Sequence, residues 1–203
     1  MRFIFCHNLQ NPLVEHFDAA RRVLRYIKGT PGLGILLRLD SALQVTAFCD
    51  SDWGACPITR RSLIGYFITI GGSPVLWKTK KQTTVSRSSA EAKYRAMAAV
   101  TSELVWLKTF LTSLGCFHSQ PMRLFCNSQA AIHIAKNPVF HEGTKHIEID
   151  CHFVREKLLS GLFRLFYIGS KQQPADVFTK PLGRQQFHFL RSKLGMINPH
   201  GPI

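Results

Sequence analysis

The sequence predicts an α/β fold: a mixed five-stranded sheet flanked by helices. Three observations carry this. Residues 43–49, Leu63–Ile70 and 74–78 are β-type segments, the last two joined hairpin-fashion through Gly71-Gly72-Ser73-Pro74. A long helical pattern over residues 90–114 follows them. Two further β-type segments then alternate with helical ones.

In order, residues 16–27 predict an amphipathic helix, with Phe17, Ala20, Val23, Leu24 and Ile27 at three-and-four spacing. The breaker cluster Gly29-Thr30-Pro31-Gly32 stops it. Residues 43–49 alternate apolar and polar and deliver Asp50-Ser51-Asp52 at the strand tip. The long helix opens on Ser88 and ends at Gly115. A strand is predicted at Met122–Cys126 and a short helix at Gln129–Lys136. Another helix covers residues 147–160 and stops at Gly161, before a fifth strand over 162–168. Residues 174–180 predict a last short helix, 184–194 a helical tail, and 198–203 a frayed end.

Composition is that of a globular chain: 203 residues, 45% hydrophobic and 19% charged, which argues against disorder. Charge is lopsided, with 26 Lys plus Arg against 12 Asp plus Glu, a net +14. Such an excess points to a polyanion partner, a nucleic acid above all, held by counterion release at phosphates. The six cysteines include no C-x-x-C pair, and Cys49 and Cys126 sit in apolar runs, so reduced thiols in an intracellular compartment are expected. No run reaches membrane length, and residues 1–12 lack the apolar stretch of a signal peptide.

Four positions lie at element ends that face a common crevice in such a fold: Asp50, the start of the long helix, the end of the fourth strand, and Asp176. Clustered carboxylates on rigid element ends are what a pair of Mg²⁺ ions requires in phosphodiester cleavage.

Several stretches resemble the ribonuclease H domain of copia-type retrotransposon polyproteins: FCDSDWGAC, TRRSLIGYF, WKTKKQTTVSRSSAEAKYRAMA, LFCNSQAAIHIAKNPVFHEGTKHIEIDCHFVRE and QQPADVFTKPL. The segment HFDAARRVLRYIKGTPGLGILL resembles the end of the polymerase part of the same polyprotein. The resemblance implies a ribonuclease H-like fold and Mg²⁺-dependent hydrolysis of RNA in RNA–DNA hybrids. It also implies an upstream polymerase module as partner.

Carried over one residue at a time, the family's acids are only half present. The first falls on Asp50 and the fourth on Asp176, which leaves these two as metal ligands. For the second, Glu91 and position 93 compete. Ser88-Ser89-Ala90-Glu91 reads as a capping box, which occupies Glu91 structurally. Position 93 continues through Met97, Val100, Leu104, Leu107 and Leu111 as an apolar stripe, while Glu91 continues through Arg95, Ala98 and Ser102, a wetter face. The inward position, where the family pattern has glutamate, is therefore Lys93. The third acid is replaced by Asn127. Together Asp50, Lys93, Asn127 and Asp176 carry −1 instead of −4. An ammonium about 4 Å from a divalent ion, at an effective dielectric near 20, is repelled by on the order of 8 kcal/mol. Weak or absent Mg²⁺ binding and impaired catalysis are expected.

Arg60, Arg61, Lys78, Lys80, Lys81 and Lys145 flank the crevice in sequence and are candidate phosphate contacts. Trp77, at a strand end, is expected in the core, and His141, His146 and His152 lack zinc-like spacing. Gly143 replaces the arginine of the family pattern. The expected organisation is a polymerase remnant over residues 1–40, the ribonuclease H-like domain over 41–183 and a helical tail over 184–203. Two other readings compete with the enzyme: a non-catalytic basic nucleic-acid-binding module, and a decayed transposon fragment. Either way the chain is expected in the cytoplasm, within virus-like particles, or in the nucleus, and neither secreted nor membrane-bound.

Overall fold

The computed structural model describes residues 11–39, 41–137 and 147–198. Cys6, His141, Gly143, Lys145, His146 and residues 199–203 of the expected frayed end lie outside the described residues. The chain divides into two units, residues 1–35 with 196–203, and residues 36–195.

In the first unit, α1 (Val14–Gly29) has no buried residue. It ends where Thr30 turns back, its backbone N–H bonding Ile27 O and its hydroxyl Tyr26 O. The two-residue strands β1 (Gly34–Ile35) and β7 (Met196–Ile197) pair antiparallel, a pairing that the sequence does not predict.

The second unit holds the five-stranded sheet in the order β4-β3-β2-β5-β6. Its strands are β2 (Val45–Ser51), β3 (Leu63–Ile70), β4 (Ser73–Lys81), β5 (Met122–Cys126) and β6 (Phe163–Tyr167). The β2–β3 and β3–β4 pairs are antiparallel, whereas β5 pairs parallel with β2 and β6 with β5. The sheet is therefore mixed, as expected. The third strand runs to Lys81, three residues beyond its predicted end. The long helix α2 (Ser89–Ser113) packs on β2 and β3, and α3 (Gln129–Lys136) and α4 (Glu148–Leu159) pack against α2.

One sheet face makes the core: Val45, Ala47 and Cys49 of β2 meet Met97, Val100 and Leu104 of α2. Alternation sends Phe67, Phe48, Phe125 and Phe166 to the other face. Register aligns them across four neighbouring strands, and consecutive rings stack with centroids 5.2–6.2 Å apart. Trp77 stands opposite Phe67 on β4 and is 49% exposed, so it is an edge residue and not core.

The short helix α5 (Asp176–Thr179) lies against β3, opposite Asp50. Gly65, the partner of Asp50 in the β2–β3 ladder, makes this possible. A Cβ at Gly65 would sit 2.6 Å from Thr179 Cγ2 and 2.8 Å from Phe178 Cβ. Only glycine lets α5 approach the strand this closely. A final helix, α6 (Arg184–Lys193), buries Leu190.

Candidate active site

Parallel pairing of β2 with β5 sets Cys49 beside Cys126. The next residues along, Asp50 and Asn127, therefore emerge together at the carboxyl ends of adjacent strands, where open α/β sheets place their ligand crevices. α2 supplies Lys93 from its first turns and α5 supplies Asp176.

The start of α2 is fixed by Ser88 and Gln82. Ser88 Oγ accepts from the Glu91 N–H at 3.1 Å. Gln82 Nε2 donates to Ala92 O at 2.9 Å and to Ser51 Oγ, tying the helix start to the tip of β2. Glu91 accepts from the Arg87 N–H, one residue before the cap, so the predicted box is closed one position early. Its second oxygen takes Nε and Nη2 of Arg95. The face that continues from Glu91 is the wetter one, with Arg95 half-buried and Ser102 exposed while Met97, Val100 and Leu104 are fully buried; Glu91 itself is nonetheless buried, its carboxylate paired with the Arg95 guanidinium.

Lys93 points into the site, with Nζ 3.0 Å from Asp50 Oδ1 and 2.5 Å from Asn127 Oδ1. The other Asp50 oxygen, Oδ2, accepts from Thr179 Oγ1 and lies 3.2 Å from Lys180 Nζ. Lys180 also reaches Asp176 Oδ2 at 2.8 Å. Gln173 holds α5 in place, its Nε2 donating to Cys49 O at 3.0 Å while its Oε1 accepts from the Ala175 N–H.

Asp50 is fully buried. Burial drives its carboxyl upward, but the ammonium groups of Lys93 and Lys180 and the Thr179 hydroxyl outweigh this and hold it below the usual carboxylate range. Burial and the Asp50 charge push Asp176 up to about 6, against the pull of Lys180. Burial lowers Lys180, but the two carboxylates more than offset this and raise it.

The structure thus brings together Asp50, Lys93, Asn127 and Asp176. Thr179, Lys180 and Gln173 were missed from sequence. With Lys180 included, the site holds two carboxylates and two ammonium groups and is formally neutral, not −1. One signal was available: Lys180 stands four residues after Asp176, the spacing of a helical ion pair.

Of the flanking cations, Lys78 is 3.9 Å from Glu103, and Lys81 Nζ is 3.0 Å from Cys56 Sγ. That contact and the Thr59 hydroxyl draw the Cys56 thiol down to about 6. Arg60, Arg61 and Lys80 are exposed. Asp52 serves the turn, its Oδ1 accepting from the Leu63 and Ala55 N–H groups, and Trp53 donates to Ser86 O. The described cysteines are free thiols; Cys49, Cys126 and Cys151 are buried, whereas Cys116 is exposed.

A divalent ion does not fit these residues. Mg²⁺ takes near-octahedral oxygen ligands, usually including one or two carboxylates. Both Asp50 oxygens, Asn127 Oδ1 and Asp176 Oδ2 already face ammonium groups. Among the described residues no three His, Cys, Asp or Glu side chains gather as for a metal.

No family model matches the chain. It is 40% identical over 185 residues to the retrovirus-related Pol polyprotein from transposon RE1 of Arabidopsis thaliana, covering 91% of this chain and 13% of that protein. It is 35% identical over 188 residues to the Pol polyprotein from transposon TNT 1-94 of Nicotiana tabacum, covering 93% and 14%. The chain therefore spans about one seventh of these relatives or less. Among solved structures it resembles LC11-RNase H1 in complex with RNA/DNA hybrid, at a TM-score of 0.50 and 15% identity, covering 67% of this chain and 94% of that one. That likeness establishes the ribonuclease H-like fold.

Proposed function

Since the chain belongs to the retrovirus-related Pol polyproteins of copia-type transposons and carries their ribonuclease H domain, we propose that it holds RNA–DNA hybrid without cutting it. The observation that carries this reading is Lys93 Nζ lodged between Asp50 and Asn127. A lysine there supplies positive charge where cleavage by metal ions needs a carboxylate, and Asn127 adds no negative charge. The net +14 charge supports polyanion binding that does not depend on the site's chemistry. Arg60, Arg61, Lys78, Lys80, Lys81 and Lys145 are the proposed backbone contacts. Residues 1–40 are the proposed junction with a polymerase module, and the setting is intracellular. No described helix is long and apolar enough to cross a membrane.

The test is a hybrid-binding titration across salt, run beside a cleavage assay in Mg²⁺ and in Mn²⁺. Binding at roughly 10⁻⁴–10⁻⁶ M near physiological salt, falling steeply as salt rises, is expected, with the RNA strand left intact. Absence of binding at low salt, or rapid cleavage, overturns the reading.

A further inference from the structure

Asp50 is a bridging carboxylate: Oδ1 faces Lys93 and Oδ2 faces Lys180. An ammonium group donates three hydrogen bonds. Lys93 directs two contacts inward, to Asp50 and Asn127, and Lys180 directs two, to Asp50 and Asp176. Each therefore keeps one N–H with no further partner among the described residues.

Exposure decides which groups an incoming ligand meets. The Asp50 side chain is 0% exposed and that of Asp176 7%, whereas Lys93 is 16% and Lys180 33% exposed. The anions lie behind and the cations in front. Asn127 is more than nine-tenths buried, and its Nδ2 has no hydrogen-bond partner, so a further donor stands unmatched beside Lys93. The chemistry that matches two ammonium groups bridged by one anion is a second bridging anion with two equivalent oxygens.

We propose that the Lys93–Lys180 pair is a metal-free seat for a backbone phosphodiester of nucleic acid. Its two non-bridging oxygens accept from the outward N–H groups of the two lysines. Where a cluster of carboxylates repels phosphate until divalent cations intervene, this site presents its own cations. The inference rests on the reading that the chain holds hybrid, and it adds that this hold needs no divalent metal.

The experiment uses the full chain and two probes. Fluorescence anisotropy with a short labelled RNA–DNA hybrid compares excess EDTA with millimolar Mg²⁺ at constant ionic strength. The Kd values are expected to agree within about twofold, and Lys93→Gln to weaken binding about three- to tenfold in both. In parallel, inorganic phosphate is expected to raise the Tm of the unaltered chain through binding to the native state, and to lose this effect in Lys93→Gln. If Lys93→Gln does not fold, Lys180→Gln gives the same readouts from the other ammonium. A Kd that rises about tenfold or more in EDTA overturns the proposal, as does a variant that binds hybrid and phosphate unchanged. Phosphate stabilisation that depends on the lysines, without hybrid binding, overturns the proposed function and leaves this seat standing.

Discussion

Lys93 Nζ lies 3.0 Å from Asp50 Oδ1, a contact between the fifth residue after the Ser88 cap and the buried tip of the central strand β2. It joins α2 to the sheet through charge. A buried charge left alone is costly, so the lysine is both the reason metal does not fit and a structural counter-charge for Asp50.

Removing one partner should therefore hurt more than removing both. Lys93→Ala is expected to cost about 1–3 kcal/mol, since Lys180 and Thr179 still hold Asp50. Adding Asp50→Asn should recover part of that loss. Urea denaturation of the two single variants and the double variant measures the coupling, and strictly additive losses count against it.

Gly65 carries a second prediction. Any side chain there meets Thr179 and Phe178 below 3.0 Å, so α5 must move away from Asp50. Gly65→Ala is expected to destabilise by about 1–3 kcal/mol. Denaturant unfolding checks this, and a change within about 0.5 kcal/mol would show that α5 is not held tightly against the strand.

Stability should also depend on pH in two opposed ways. Asp176 has a folded pKa raised to about 6, above its unfolded value near 3.9, so the native state holds that proton more tightly. Its deprotonation costs stability progressively as pH rises from about 4 to 6, by up to about 3 kcal/mol. Asp50 is shifted the other way: its contribution is present above about pH 4 and fades as pH falls through its lowered pKa. Thermal unfolding from pH 3 to 8 should thus peak near about pH 4–5. Asp176→Asn should flatten the limb above the peak, and an unchanged limb in that variant contradicts the assignment.

Glu91 is expected to act on stability and not on site chemistry. It accepts from the Arg87 N–H at 2.8 Å and pairs with Arg95 at 3.0 Å, away from the Asp50 cluster. Glu91→Ala should cost about 0.5–2 kcal/mol and leave hybrid affinity unchanged. A variant of unaltered Tm that no longer binds hybrid would place Glu91 in the nucleic-acid site instead.

Much of this was legible because local pattern and tertiary role coincide. Alternation in residues 43–49 set Val45, Ala47 and Cys49 on one face and put Asp50 at the tip. The helical stripe through Met97, Val100 and Leu104 fixed which way position 93 faces. What escaped depends on distant chain segments. Lys180 reads as an ordinary terminal lysine until α5 docks on β3, and that docking depends on Gly65, more than a hundred residues earlier. Gln173 is polar and follows a loop, which predicts exposure; the Cys49 carbonyl it satisfies is what buries it. The burial of Glu91 itself escaped because Arg95 folds over it, a pairing that periodicity does not encode. Pairs as short as β1 with β7 carry no periodic signal at all.

On the proposed function, Lys93 and Asn127 are what keep this ribonuclease H-like fold from cutting hybrid. The most direct measurement is cleavage of a labelled RNA–DNA hybrid in Mg²⁺ by the unaltered chain and by Lys93→Glu/Asn127→Asp. The double variant should cleave the RNA strand at least on the order of a hundredfold faster, with the unaltered chain at background. A double variant that cleaves no faster than the unaltered chain, at background or above it, would show that Lys93 and Asn127 are not what blocks cleavage.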